Sequence, residues 1–127
     1  MTKTLLVGFG GFLGSIARYL AGGAVHRLAA GSVLPYGTLF VNVTGCLAIG
    51  ILSALSEARG VLSPEARVFL LIGVLGGYTT FSSFGYETFQ LLRGGEMLAA
   101  MANVLIQVVV GLGTVWAGSA AVRLIWG

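Results

Sequence analysis

Four stretches of this 127-residue chain carry no Asp, Glu, Lys or Arg: residues 4–17, 28–56, 68–86 and 97–122. A helix needs about 20 apolar residues to cross a bilayer, so these runs set the fold before any motif is considered. The first run extends to about residue 25 once Arg18 is allowed inside the membrane. Four crossings and short turns use the whole length, leaving no room for a soluble domain. The composition agrees, with 57% hydrophobic and 9% charged residues against about 25% charged in soluble proteins. The expected fold is an all-α integral membrane protein. It forms one transmembrane domain over residues 1–127, with helices at about 3–26, 36–57, 64–92 and 97–125 in the lipid bilayer of a cell membrane.

Several functions are disfavoured. The formal charge of +3 comes from scattered loop cations, with no basic cluster that would suggest nucleic acid. A single cysteine, Cys46, rules out an internal disulfide and disfavours a metal cluster. The glycines between Gly8 and Gly14 resemble a dinucleotide fingerprint, but they lack its spacing, its preceding strand and its acidic residue. Lys3 before an apolar run is read as the start of helix 1, because no small-residue cleavage site follows. The sequon at Asn42 lies within a span, where no glycosylation is expected.

Each span carries a distinct pattern. In helix 1, Gly10, Gly14, Arg18 and Gly22 recur every four residues, a small-residue face that also holds a charge. His26 and Arg27 are read as interfacial residues contacting headgroups. Helix 2 starts at Pro35 and Tyr36, and its Thr38 and Asn42 share a face. Ser63, Pro64 and Glu65 form a strong start for helix 3. In helix 4, Asn103, Gln107 and Gly111 follow one another at four-residue spacing.

The least expected stretch is Gly73 to Glu87, where a charge-free span turns rich in hydroxyls. Unpartnered polar groups at membrane depth cost several kcal/mol, roughly, so they face protein or a water-filled path. Gly76, Gly77, Thr79 and Thr80 are poor helix formers, which predicts a break near residues 76–80. Beyond it, Thr80, Ser83 and Glu87 make one polar stripe, with Phe81, Phe84 and Thr88 beside it. Hydroxyl donors next to the positive edges of aromatic rings suit a small dehydrated anion. Free carbonyls at a break suit a hard cation such as sodium. From spacing alone, helix-to-helix hydrogen bonding and packing remain open readings of the same residues.

Gly-Gly-Tyr-Thr-Thr-Phe-Ser-Ser-Phe, residues 76–84, resembles the Gly-Gly-Leu-Thr-Thr-Phe-Ser-Thr-Phe signature of the Fluc (CrcB) family of fluoride channels. Gly37 to Asn42 match the family's Gly-Thr-Leu-x-x-Asn motif, and Ala17-Arg18-Tyr19 its first-helix arginine. The resemblance implies an antiparallel, dual-topology homodimer in the bacterial inner membrane that passes fluoride down its gradient. It implies an anion pathway of Phe81, Phe84, Asn42, Thr80 and Ser83, with Glu87, Gln107 and Arg18 towards a vestibule or the end of the path. It further implies a structural sodium held by the backbone carbonyls of Gly76 and Thr79 from both subunits. Tyr78 stands where the family commonly has Leu, and Gln107 where a smaller polar residue is common.

The loop cations divide almost evenly. Lys3, Arg59, Arg67 and Arg123 fall on one side, with Arg27, Arg93 and Arg18 on the other. So small a bias allows insertion in both orientations. Two rivals are a dual-topology multidrug/proton exporter, which needs a central acid where helix 1 has Arg18, and a non-transporting membrane assembly subunit. An enzyme is not expected, since there is no Gly-x-Ser-Gly motif and the only histidine, His26, lies near a span end.

Overall fold

The computed structural model describes residues 1–126, which are helical throughout apart from short connections. Four helices are long and apolar enough to cross a membrane: α1 (Thr2–Leu28), α2 (Tyr36–Arg59), α3 (Pro64–Arg93) and α4 (Met97–Trp126). No strand occurs among the described residues. Gly60, at φ 58°, ends α2 in the left-handed conformation that a side chain resists. Ser63 then caps α3 by accepting the Ala66 N–H at 3.1 Å, with Pro64 in the first turn.

α3 is interrupted. Its first half runs through a π-helical segment, Val68–Val74, and one further turn, Leu75–Tyr78, and its second half is Phe81–Arg93. Between them Thr79 (φ −85°, ψ 159°) and Thr80 (φ −151°, ψ 110°) are extended. The break lies at the two threonines, while Gly76 and Gly77 stay helical. It is modest in angle, since the axis bends by only 17°.

α2 packs along α4, and α1 packs along the first half of α3 and against α2. Glycines set these approaches. A Cβ on Gly10 would lie 2.6 Å from the Phe69 carbonyl oxygen, and one on Gly14 would overlap that of Val74. On the other pair, a Cβ on Gly118 would lie 2.7 Å from the Leu47 carbonyl oxygen. In lipid, where hydrophobic association is lost, such close backbone contact supplies the packing. Only 11 to 22% of the residues in each span's most apolar window are buried within the chain. Large side chains such as Phe12, Tyr19, Leu98 and Trp116 point outward.

Candidate functional site

Around the break the polar side chains of three helices converge. The extended Thr80 turns its N–H and C=O sideways, as a strand residue does, and the Asn42 side chain on α2 pairs with both. The Thr80 N–H donates to Asn42 Oδ1 at 2.8 Å, and Asn42 Nδ2 donates to the Thr80 carbonyl at 3.1 Å. Asn42 Nδ2 also donates to Gln107 Oε1 on α4 at 2.9 Å. This fixes both amides. A main-chain N–H can only donate, so it faces the Asn42 oxygen, and the second Nδ2 hydrogen then faces the Gln107 oxygen. Gln107 Nε2 is left buried with no hydrogen-bond partner.

Thr80 also caps the second half of α3. Its hydroxyl accepts the Ser83 N–H at 3.1 Å and donates to the Ser83 hydroxyl at 3.1 Å, with the Ser82 hydroxyl 3.2 Å away. Phe81 and Phe84, one turn apart, meet edge to face with ring centroids 5.4 Å apart. Phe81 is 82% exposed, so most of its ring is left uncovered by the chain.

Two cavities flank this cluster, and Thr80 lines both. One, of about 770 Å³, is walled by Arg18, His26, Thr38, Ser83, Glu87 and Glu96, among others. The other, of about 360 Å³, is lined by Asn42, Gly76, Thr79, Phe81, Phe84 and Gln107 with apolar neighbours. The stripe of Thr80, Ser83 and Glu87 therefore faces the first cavity, and the two rings face the second. Arg18 and Glu87 share the first cavity. Gln107, grouped with them in the sequence reading, stands apart beside Asn42.

Some of this escapes sequence reasoning. His26, read from the sequence as a headgroup contact, lines the first cavity. Its signal is the four-residue period of Gly14, Arg18 and Gly22, which one more step carries to position 26. Thr38, noted only for sharing a face with Asn42, donates to Glu87 Oε1 at 2.6 Å. Tyr78 places its hydroxyl 2.8 Å from that of Thr44, a tie between α2 and α3 with no sequence signal. Asn103, almost fully buried, donates to Thr88 at 2.9 Å, joining α4 to the second half of α3.

The main chain at the break presents opposite polarities a few residues apart. The Thr80 N–H, which a continuous helix would aim at the Gly76 carbonyl, goes to Asn42. The Ser83 N–H, which would meet the Thr79 carbonyl, goes to the Thr80 hydroxyl. Both carbonyls thus lack the donor that a helix supplies, and oxygens of this kind fit a hard monovalent cation. The second half of α3 begins at Phe81, where a helix N-terminus favours negative charge.

Fold and site define a multi-pass membrane protein with a hydroxyl- and amide-lined cluster at a broken helix. Residues 5–119 match the family described as "CrcB-like protein, Camphor Resistance (CrcB)", and the chain belongs to that family. A relative from Nitrobacter winogradskyi named "Fluoride-specific ion channel FluC" is 48% identical, covering 98% of each chain. Relatives with the same name from Geotalea daltonii and Geobacter sulfurreducens are each 46% identical; the first covers 98% of this chain and 100% of its own, the second 97% and 98%.

Proposed function

We propose that this chain is a fluoride channel, letting fluoride leave the bacterial cytoplasm passively down its electrochemical gradient. The observation that carries the proposal is the buried, unpartnered Gln107 N–H in the same cavity as the Phe81–Phe84 ring pair. An unpaired buried donor is costly unless something accepts from it. Fluoride holds its water tightly, so a path must replace that water with several fixed donors. The hydroxyls of Thr80 and Ser83 continue the donor set into the larger cavity, where Arg18 supplies positive charge. Relatives 43 to 48% identical over nearly their whole length bear the fluoride-channel name, which supports the same cargo here.

Two copies in opposite orientations make the working unit in this reading. The near-even split of loop cations supports insertion both ways. The outward-facing apolar surface and the exposed Phe81 support a partner covering one side of the site. The carbonyls of Gly76 and Thr79 from each copy would hold a sodium ion, and the diverted N–H groups at the break support this. A bound cation would supply positive charge that ties the two breaks together.

Fluoride efflux from liposomes holding the purified protein tests the channel reading. Fast efflux, selective over chloride and driven by membrane potential, is expected, with no need for a proton gradient. A correctly folded protein that passes no fluoride overturns it. Crosslinking in detergent, with a doubled mass expected, tests the dimer.

A further inference from the structure

α1 and the first half of α3 run side by side in the same direction, with Gly10 against Phe69 and Gly14 against Val74. Their beginnings therefore reach the same face of the membrane, where Lys3 and Arg67 come out together. A groove of about 490 Å³ lies there, lined by these two cations and by apolar side chains, Val68, Leu71 and Ile72 among them. It shares only Leu71 with the cavity of the ring pair and nothing with the larger cavity. Among the described residues no carboxylate lines it. Glu65, two residues before Arg67, falls on a different face of the helix.

We propose that this groove binds an anionic phospholipid, its phosphate between Lys3 and Arg67 and an acyl chain along Val68, Leu71 and Ile72. The order of the lining residues carries the argument. Leu71 and Ile72 lie one turn beyond Arg67, roughly 6 to 8 Å deeper along the helix, and Ile72 is exposed. Polarity thus falls from charged to apolar along the groove, as it does along a phospholipid. The guanidinium fork of Arg67 suits phosphate oxygens, and Lys3 can lay its stem on apolar surface while its ammonium stays at headgroup level. Free phosphate would leave the apolar wall uncovered, and an apolar solute would leave both charges without a partner. A zwitterionic lipid brings a cation of its own towards two others, so the charge pattern selects a lipid with net negative charge.

Thermal unfolding of the purified protein in a nonionic detergent tests this, with phosphatidylglycerol or phosphatidylcholine of the same acyl chains added in steps. Phosphatidylglycerol should stabilise the wild type with a definable midpoint. A basic residue near a membrane surface strengthens anionic-lipid binding about fivefold, so Lys3→Gln combined with Arg67→Gln should raise that midpoint roughly 25-fold. Both side chains are exposed, and glutamine keeps much of their length, so the double variant should fold. Arg123→Gln removes a cation that does not line the groove and should leave the midpoint in place. A double variant with the wild-type midpoint, or an Arg123→Gln variant shifted as far as the double variant, overturns the proposal. Equal stabilisation by phosphatidylcholine, or by potassium phosphate, overturns it as well.

A second measurement needs only the wild type. Native mass spectrometry from an equimolar mixture of the two lipids should show phosphatidylglycerol retained over phosphatidylcholine by about fivefold or more. Equal retention of the two lipids overturns the proposal. If a second copy of the chain covers the groove instead, the wild type will show no lipid preference and the double variant will lose its dimer mass, which overturns it too.

Discussion

Thr38 and Glu87 meet across the larger cavity, the Thr38 hydroxyl donating to Glu87 Oε1 at 2.6 Å. The contact joins α2 to the second half of α3, and the other carboxylate oxygen, Oε2, is buried without a partner. Thr38→Val, of nearly equal volume, leaves both oxygens unpartnered and should destabilise the protein by about 1 to 3 kcal/mol. Thr38→Ser should restore most of the loss. Chemical unfolding in detergent reads both, and equal stability of the Val variant and the wild type would mean that the contact is idle.

The ring pair should govern conduction more than folding. Phe81 is largely exposed on the isolated chain and Phe84 half-buried. Phe81→Ile or Phe84→Ile keeps apolar bulk but removes the positive ring edge, so fluoride efflux should fall roughly tenfold or more with little change in melting temperature. Efflux followed with a fluoride electrode checks this, and undiminished rates in both variants would assign the rings to packing alone.

Gln107 offers a sharper contrast. Gln107→Met removes the unpartnered buried N–H and should slow fluoride flux about tenfold, the worth of a hydrogen bond to an anion. The same change removes the oxygen that accepts the Asn42 N–H, so a loss of about 1 to 3 kcal/mol in stability should accompany it. Gln107→Glu puts an acceptor in its place and should stop flux. Rates in the Met variant equal to those of the wild type would exclude Gln107 from the path.

The glycine faces give a prediction with opposite signs. A Cβ on Gly14 would run into the main-chain carbonyl of Val74, which cannot yield as a flexible side chain can. Gly14→Ala should therefore cost about 2 kcal/mol or more through separation of α1 and α3. A Cβ on Gly8, six residues earlier on the same helix, meets nothing within 4 Å of the chain. Gly8→Ala should be neutral or slightly stabilising, since Ala is the better helix former. Melting temperatures of the two variants side by side decide it.

The four spans were legible because the cost of placing charge or bare backbone in lipid is local and acts on each stretch by itself. The start of α3 was legible for a similar reason, since the Ser63 cap and Pro64 act within one turn. The ring pair and the hydroxyl stripe followed from helical spacing once residues beyond the break were taken as a helix. The break itself was visible in Gly76, Gly77, Thr79 and Thr80 only as weak helix propensity spread over several residues.

What the sequence by itself determined is the number of crossings, the faces of the helices and the residues able to donate to an anion. Tertiary structure decided where the helix opens and which donor is left free. Gly76 and Gly77 stay helical, and the chain opens at Thr79 and Thr80 because Asn42, 38 residues earlier, accepts the Thr80 N–H there. Asn42 in turn spends its remaining hydrogen on Gln107, 65 residues further along, so the unpaired N–H belongs to α4 and not to α2. Such an outcome depends on three helices meeting at one height in the membrane. No single helix's pattern contains it, because each hydrogen bond is settled by competition among partners that only folding brings together.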